Sequence, residues 1–280
     1  MYSIEFSATG KNHFNENRGH VSGFTYRDYS IPMHTHDFYE INIILSGSGI
    51  HHIEECSVPV KKGNVFVIPP YMAHSYDNCK KLDVFHLLLH ADFVKGNYDE
   101  ASKVPGFGML FEIEPFIRRN LQEPVFLQLT HAGVESIKPE LDALNDKNPL
   151  SCREIRKHTA WKLIYTFSML LSKQLEEKRK STSAVHEKEI LQVLCFIHNH
   201  YNEKLTIKTL CDEVYMSRST LLRSFREVCG CSPLEYITAY RKRTAHELLE
   251  SGEYSKSEVA NICGFYDLSH MDKIMKKTDV

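Results

Sequence analysis

An internal repeat in the last third of the chain is the feature that most constrains its fold. Residues 205–226 recur about fifty residues later as residues 254–276. In each copy a residue suited to N-cap a helix, Thr206 or Ser255, precedes a short segment with apolar residues at helical spacing. A turn follows, and a second segment then begins with polar residues. This order predicts two helix-turn-helix units, in which the second helix enters the major groove of DNA.

The apolar residues of the repeat are expected to face the interior of a helical domain. They are Leu210, Cys211, Val214, Leu221 and Phe225 in the first copy and Val259, Ala260, Cys263, Met271 and Met275 in the second. A plain helical bundle explains one such copy equally well, because short helical hairpins are common. Two copies of the same pattern favour paired DNA-reading units over the bundle.

The first third of the chain has a different periodicity. Short β-rich runs, such as residues 65–68 and 84–89, are separated by Gly, Pro and Asn residues between about residues 20 and 93. Several such strands a few residues apart predict a small β barrel or sandwich.

Helical periodicity is expected to take over from about residue 112 to residue 180, most clearly over residues 153–178. The chain then becomes polar and charged, which indicates a linker at residues 181–186. Two domains follow from this division: residues 1–180 hold the barrel with accessory helices, and residues 187–280 are all-helical.

One stretch of the first domain carries residues with functional chemistry. On a single extended strand His34, His36 and Glu40 would share a face with Phe38 and Asn42. Imidazoles and a carboxylate on one face can ligate a metal, or they can line a polar cavity that binds a small molecule. From the first domain alone, a metal enzyme and a binding pocket are equally consistent with the pattern.

Composition excludes several classes of protein. The 280 residues contain no apolar run long enough for a membrane span, and the N-terminus lacks the pattern of a signal peptide, so a cytoplasmic protein with no membrane partner is expected. The eight cysteines include no Cys-x-x-Cys pair, so neither a zinc finger nor a disulfide framework is predicted. Because the net charge is −2, any binding to nucleic acid must come from locally placed cations.

The spacing around the histidines resembles the two sequence boxes of the cupin superfamily, a jelly-roll β barrel. The matching residues are His34, His36, Glu40, Gly47, Gly63, Pro69 and His74. Asp28 and Tyr71 depart from the pattern, since the boxes have glycine there. In metal-binding cupins the ligands are the residues that correspond to His34, His36, Glu40 and His74. The resemblance thus implies a site suited to Mn, Fe, Ni, Cu or Zn.

Residues 187–280 closely resemble the DNA-binding domain of the AraC/XylS family of bacterial transcription regulators, in which a long helix joins two helix-turn-helix units. The segments that carry the resemblance are residues 197–205, 225–236, 241–249 and 264–269. The family usually places a cupin-like sensor before this domain, which matches the first half of the chain. The resemblance implies an α+β two-domain regulator that is not an enzyme, has no catalytic residues and requires no cofactor, although a divalent metal in the barrel is permitted.

Roles carried over by position imply a set of DNA-contacting residues, each of which by itself also fits a solvated helix face. They are Arg218, Ser219, Thr220, Leu222, Arg223 and Arg226 in the first unit and Ser269, His270, Lys273 and Lys276 in the second. Arg223 is the strongest candidate for direct readout, because a guanidinium matches guanine O6 and N7. Leu222 departs from the family pattern. Residues 184–280 contain 13 lysines and arginines against 14 aspartates and glutamates, so a monomer is expected to bind DNA weakly.

The resemblance also implies the partners. Double-stranded promoter DNA is one, and a small-molecule effector held in the barrel by His34, His36, Glu40, Asn42 and His74 is the other. A carbohydrate is expected, since the pattern His-x-His-Asp-Phe-x-Glu also occurs in the rhamnose-type branch of the family. Residues 1–20 are expected to form an effector-responsive arm. Residues 153–178 are expected to form a homodimer surface, or equally to pack on the chain's own barrel.

Three classes of function stay open. A ligand-responsive transcription factor explains both halves, whereas a cupin metalloenzyme with an appended helical domain explains only the first. The third is a DNA-incompetent relative that acts through dimer formation. This third class is suggested by the segment Gly230–Tyr236, which follows the first helix-turn-helix unit. No equivalent segment follows the second unit in this sequence, so the second unit is expected to be truncated.

Overall fold

The structure is a computed structural model that describes residues 6–16, 18–28, 30–53, 56–117, 126–181, 186–252 and 254–276. The chain divides into two compact units, Met1–Ser181 and Thr182–Val280. The first unit is a β-rich sheet with accessory helices and the second is helical, so the two-domain α+β class predicted from the sequence is confirmed. Of the predicted linker, residues 182–185 lie outside the described residues.

One sheet organises the first unit. Its eight strands within the described residues are β1 (Phe6–Ala8), β2 (Val21–Tyr26), β3 (Ile31–His36), β4 (Tyr39–Ile53), β5 (Cys56–Lys61), β6 (Asn64–Ile68), β7 (His74–Leu89) and β8 (Leu127–Gln128). The long strands β4 and β7 pair antiparallel along most of their lengths. On its other edge β7 pairs first with β3 and then with β2, and β4 pairs first with β6 and then with β5. Register shifts between Ile44 and Ile50 bend β4 and curl the sheet.

The register separates an inner face of the sheet from an outer face. On the inner face Asn42 of β4 lies opposite Phe66 and His86, and a cluster of apolar side chains, which includes Phe66 and Val84, fills the space beside them. On the outer face lies Phe85, beside the helical segment that ends at Leu144. Because both faces are covered, residues 65–68 form a continuous apolar run, and residues 84–89 are apolar except at His86.

Helices follow the barrel strands. They are α1 (Ala91–Lys95), α2 (Tyr98–Ala101), a π-helical turn (Met109–Ile113) that continues into α3 (Glu114–Ile117), α4 (His131–Ser136), α5 (Lys138–Leu144) and α6 (Arg153–Ser181). The helical region therefore begins at residue 91, earlier than the predicted residue 112, and β8 lies within it. Elements of two to five residues are too short to display a hydrophobic period, which is why the sequence did not reveal them.

The N-terminal segment also differs from the expectation of a free arm. Residues of β1 pair in parallel with β3, and Gly10–Asn12 form one 3₁₀ turn. The ring of Phe6 stacks on that of His34, with centroids 4.9 Å apart. Within the described part of this segment, Phe6–Ala8 thus form an edge strand of the sheet.

Helix α6 packs against its own unit. Ile164, Phe167 and Leu171 are buried, and the helix contacts β2 and β8. Of the two alternatives predicted for this helix, packing on its own barrel is therefore observed. Apolar side chains also remain on its outer side, where Met169 is 58% exposed.

A buried arginine fixes the start of α6 to the sheet. Arg156 is 2% exposed and donates to Asp146 Oδ1 at 2.7 Å, to the Leu144 carbonyl at 2.8 Å, and to two further backbone carbonyls. Asp146 in turn accepts from the Ser22 hydroxyl of β2 at 2.7 Å. The loop between α5 and α6 is therefore held to β2 by one charged network, which the sequence did not predict.

The second unit contains the two predicted helix-turn-helix units. Its described helices are α7 (Glu187–His200), α8 (Ile207–Val214), α9 (Arg218–Cys229), α10 (Pro233–Ser251), α11 (Lys256–Ile262) and α12 (Leu268–Lys276). Thr206 and Ser255 cap α8 and α11 as predicted, each accepting a hydrogen bond from a backbone N–H three residues on. Among the predicted interior positions all are buried except Met275, which is half-buried and packs against an apolar cluster that includes Ala245, Val259 and Met271.

Among the described helices, none is both long enough and apolar enough to span a membrane.

Candidate effector site and nucleic-acid interface

The histidine-containing stretch forms two strands rather than one. A single strand was predicted to carry His34, His36 and Glu40, and this prediction is wrong: the chain bends at Asp37 and Phe38, so the histidines lie on β3 and Glu40 lies on β4. At the bend the Asp37 carboxylate accepts the Gly10 N–H at 2.6 Å. Both strands pair with β7, which brings their polar side chains together on the inner face.

Three of the residues form a compact buried group. One potential ligand atom from each of His36, Glu40 and His74 lies within 4.8 Å of the others. His36 Nδ1 donates to the Phe38 carbonyl at 2.7 Å, which leaves Nε2 as the lone-pair nitrogen, 3.5 Å from Glu40 Oε2. His86 Nδ1 donates to the other oxygen of Glu40 at 2.8 Å. The carboxylate is therefore oriented by the hydrogen bond from His86.

Burial and hydrogen bonding set the charges in this group. Burial lowers the pKa of His36 and lowers that of His74 well below its ordinary value, so both imidazoles are neutral. Burial by itself raises the pKa of Glu40, but the attraction and hydrogen bond of His86 outweigh it and hold that pKa well below its ordinary value. Neutral imidazoles beside a carboxylate are the protonation states that a metal ion or a polyhydroxylated ligand needs.

Several polar atoms on the inner face of the sheet have no hydrogen-bond partner among the described residues. They are both side-chain polar atoms of Asn42 and the Nε2 atoms of His36 and His74. Asn42 is fully buried on β4, directly opposite His86 on β7. Because an unsatisfied buried amide costs about 1–3 kcal/mol, this group needs a partner, which an ordered water or a bound small molecule can supply.

His34 occupies a different place from the other candidates. Its Nδ1 donates to the Pro32 carbonyl at 3.0 Å, and its ring lies between Phe6 and His74, at centroid distances of 4.9 and 4.2 Å. Its ligand atoms are not part of the three-residue group of described residues. The structure therefore brings together three of the four candidate ligands and places His34 beside them.

Sequence reasoning missed two further histidines. His86 bonds Glu40, and His51 lies with its ring 4.5 Å from that of Tyr76 and its Nε2 3.4 Å from His74 Nδ1. Both are buried. The signal for His86 was its even-numbered position in the run Val84–Leu89, but assigning it to the cavity required the pairing of β7 with β4, which no local pattern contains.

The second helix of each helix-turn-helix unit, α9 or α12, is called its reader helix here. Both reader helices present the predicted DNA-contacting residues outward. Arg218, Ser219, Arg223 and Arg226 on α9 and Ser269, His270, Lys273 and Lys276 on α12 are exposed, and Thr220 and Leu222 are half-buried. The Thr220 hydroxyl lies 2.8 Å from that of the N-cap residue Ser217, so it is partly engaged in capping. Arg223 makes only a long contact, 3.9 Å, with Glu227 on the same helix. Its guanidinium is therefore available to a base edge.

The turns before α9 and α12 differ in the residue that adopts the left-handed conformation. Both use a residue in the left-handed region, Tyr215 with φ of 52° and Gly264 with φ of 70°. A Cβ on Gly264 would approach the Asn202 carbonyl oxygen to 2.5 Å, so glycine is required there. Tyr215, by contrast, is 96% exposed, and nothing in its packing requires the left-handed backbone that its side chain disfavours.

Tyr215→Gly is expected to stabilise the second unit by about 0.5–1 kcal/mol, because relief of left-handed strain outweighs the entropy that glycine adds to the unfolded chain. Urea unfolding followed by far-ultraviolet circular dichroism measures the change. Tyr266→Gly is the matched control, since Tyr266 is similarly exposed but has negative φ. Equal effects of the two substitutions would show that strain at Tyr215 is absent.

Two capping boxes give the second unit a defined acid response. The carboxylates of Glu235 and Glu258 accept the backbone N–H groups of Ser232 and Ser255 at 2.7 and 2.8 Å, and these hydrogen bonds lower the pKa of both glutamates. A lowered pKa means that the stabilising contribution is present above the unfolded value of 4.5 and is lost as the pH falls through the folded value.

Amide protection in the first turn of α11 is therefore expected to fall in wild-type protein as the pH drops below about 4.5, and to fall much less in Glu258→Gln, whose amide oxygen caps without titrating. Hydrogen exchange with mass spectrometry measures both, and the variant corrects for the intrinsic pH dependence of exchange. Identical profiles would show that the Glu258 carboxylate does not hold the cap.

A curled β sheet with a buried polar site, followed in the chain by two outward-facing helix-turn-helix readers, defines a ligand-responsive transcription regulator. Residues 21–153 match the AraC-like ligand binding domain, and residues 210–278 match a helix-turn-helix domain. The chain belongs to the AraC family of transcription regulators, with the family's N-terminal ligand-binding domain.

Individual relatives align with this chain over most of their lengths. The HTH-type transcriptional activator RhaR of Enterobacter sp. (strain 638) is 23% identical over 245 residues, which cover 87% of this chain and 82% of that protein. The HTH-type transcriptional activator RhaS of Escherichia coli O81 (strain ED1a) is 23% identical over 252 residues, covering 88% and 84%. These relatives are transcription regulators rather than enzymes.

Among solved structures, unsaturated fatty acid bound wild-type ToxT from Vibrio cholerae strain SCE256 aligns over 94% of this chain and 93% of its own, with 18% identity and a TM-score of 0.41. That score is too low to support an argument about the site.

Proposed function

We propose that the chain binds double-stranded promoter DNA as a homodimer in the cytoplasm and that a carbohydrate, bound inside the barrel, changes this binding. The observation that carries the effector proposal is the buried Asn42 amide without a partner, beside Glu40 and the neutral imidazoles. Each sugar hydroxyl both donates and accepts, so it needs paired acceptors and donors such as these.

Aromatic side chains near the polar group support a sugar over other polar ligands. Phe24 of β2 stacks on His86 with centroids 5.5 Å apart, and the ring of Tyr26, which is 51% exposed, lies 5.6 Å from His86. A sugar ring presents an apolar C–H face as well as hydroxyls, and a small polar set within an aromatic wall matches that amphipathic shape.

The effector proposal is tested by thermal unfolding of the protein with a panel of neutral monosaccharides, in wild type and in Asn42→Leu. Leucine has nearly the same shape and removes both unsatisfied polar atoms, so the variant is expected to be as stable as wild type or more so. At least one sugar should raise the melting temperature of wild type and not of the variant. A sugar shift that survives in Asn42→Leu, or no shift with any sugar, contradicts the proposal.

The homodimer proposal rests on the outer side of α6. Met169 and Leu170 are 58% and 39% exposed on a helix of 29 residues, so an apolar strip remains after the helix has packed on its own unit. Analytical ultracentrifugation should show a dimer in wild type and a monomer in Met169→Glu. Lys147→Glu, at an exposed residue outside α6, is the control and should remain dimeric. A monomeric wild type contradicts the proposal.

A divalent metal is a second candidate occupant of the barrel. His36, Glu40 and His74 would hold it, since two neutral imidazoles and one carboxylate are a common set of protein ligands for transition metals, and the two Nε2 atoms lack other hydrogen bonds. Metal analysis of protein prepared without chelators should find about one ion per chain in wild type and none in His74→Gln. Absence of metal in wild type after incubation with Zn²⁺ or Ni²⁺ contradicts it.

The metal test also addresses the metalloenzyme alternative. A metalloenzyme would have a catalytic activity that is lost when the metal is removed. A structural or effector-binding metal would change DNA binding alone. The relatives favour the regulator, and the DNA-binding measurement with and without chelator separates the two.

A further inference from the structure

A cleft of about 450 Å³ lies on the first unit, outside the barrel interior. It is bounded by the segment before β2, by α1 and by the first turns of α6. Its walls combine cationic and aromatic side chains, of which the most important are Arg18, His20, Arg153, Lys157, Trp161 and Tyr165. None of the residues predicted from the sequence as an effector or metal site lines this cleft.

The cleft carries an excess of positive charge. Arg153 and Lys157 lie one turn apart on α6, and neither forms an ion pair with any carboxylate in the described part of the chain. Arg18 lies 3.1 Å from Asp146, but Asp146 is also bound by Arg156 at 2.7 Å, so one carboxylate serves two guanidinium groups. Asp92 is the one acidic residue among the lining residues, and it lies 3.3 Å from His90.

The positive charges of the cleft also act on His20, one of its lining residues. Burial lowers the pKa of His20, and the neighbouring charges of His90 and Arg153 lower it further, against the opposite effect of Asp92. Unpaired cations that face one another across a cleft repel, and a bound anion relieves that repulsion.

Packing holds the cationic and aromatic walls in place. The Arg153 side chain lies against Gly19, where an added Cβ would come within 2.9 Å of Arg153 Cγ. Trp161 is 9% exposed and stacks on Phe93, with ring centroids 4.9 Å apart. Tyr165 lies 5.4 Å from Trp161, and its hydroxyl accepts from Asn97 Nδ2 at 2.7 Å. Along α6 the cleft is thus lined first by the cations Arg153 and Lys157 and then by the aromatic rings of Trp161 and Tyr165.

We propose that this cleft is a second effector site, which binds a small organic anion with a carboxylate or phosphate group held by Arg153 and Lys157 and an apolar or ring-shaped body against Trp161. The guanidinium of Arg153 donates two parallel hydrogen bonds to either group, and Lys157 adds a point charge. The site is separate from the neutral sugar site proposed inside the barrel, so the two are tested independently.

The chain supplies its own probe, because Trp161 is its single tryptophan. Full-length protein is titrated with benzoate, glucose 6-phosphate, inorganic phosphate and uncharged glucose while Trp161 fluorescence is recorded, and calorimetry on the same samples detects binding that leaves fluorescence unchanged. We expect saturable binding of an organic anion, weaker binding of inorganic phosphate, and no fluorescence change with glucose. Benzoate and glucose 6-phosphate distinguish the carboxylate from the phosphate as the recognised group.

Variants decide whether the cleft is responsible. Arg153→Ala/Lys157→Ala changes only exposed side chains and is expected to weaken anion binding by at least about tenfold, as loss of two charge-assisted contacts implies. Lys173→Ala removes an exposed cation from the same helix, far from the cleft, and is expected to bind as wild type does. The proposal is overturned if no organic anion binds by either method, or if the double variant and Lys173→Ala bind equally. The response of the barrel to neutral sugars should be the same in all three proteins.

Discussion

Arg156→Ala is expected to destabilise the first unit by about 3 kcal/mol, because it removes the buried guanidinium that joins Asp146 to the backbone before α6. The side chain is 2% exposed, and its loss would remove a donor from three backbone carbonyls and leave the partly exposed Arg18 as the remaining cation beside Asp146. The same substitution detaches the loop before α6 from β2, to which Asp146 binds through Ser22.

Urea unfolding followed by Trp161 fluorescence measures this effect selectively, since the single tryptophan lies in the first unit. The exposed neighbour provides a matched control, and Arg153→Ala is expected to change the free energy of unfolding by less than about 0.5 kcal/mol. A loss below about 1 kcal/mol for Arg156→Ala would mean that water replaces the guanidinium and that the network does not hold the loop.

Arg223→Ala is expected to weaken binding to a specific DNA site by about 1–3 kcal/mol, or about 5–150-fold, and to relax specificity at a single base pair. Arg223 is exposed on α9 and makes only a 3.9 Å contact with Glu227, so little folding energy depends on it. Fluorescence anisotropy on a selected DNA duplex and on single-base variants of that duplex measures both quantities.

Two further variants distinguish a base contact of Arg223 from a phosphate contact. Arg226→Ala removes a cation from the same helix that is expected to contact phosphate, so it should weaken binding equally for all duplexes and reduce the salt dependence. Lys204→Ala, exposed in the segment before α8, should leave binding unchanged. If Arg223→Ala weakens all duplexes equally, Arg223 contacts phosphate rather than a base.

Local patterns predicted the second unit well. N-caps at Thr206 and Ser255 and the inward positions of both copies follow from interactions within a few residues, which a sequence displays directly. The turn at Gly264 is also local, although the reason for glycine there, the approach of the Asn202 backbone, is not.

The first unit was less predictable because its site depends on pairing between distant strands. Alternation placed Asn42 correctly on the inner face, but the partnership of Glu40 with His86 joins residues 46 positions apart and requires the register of β4 on β7. The bend between β3 and β4 was missed because nothing within that segment reveals that Asp37 turns to bind Gly10. Arg156 was missed for a similar reason, since its partners lie on a loop and a strand that only tertiary structure brings near.

Under the proposed function, a sugar bound in the first unit changes DNA binding by α9 and α12. The most direct measurement is the affinity of the full chain for DNA flanking its own gene, with and without the sugar that most raises its melting temperature, in wild type and in Asn42→Leu. We expect specific, salt-dependent binding whose affinity the sugar changes by about 5-fold or more in wild type and leaves unchanged in Asn42→Leu. Specific binding that the sugar does not alter in wild type, or alters equally in both proteins, would contradict the account.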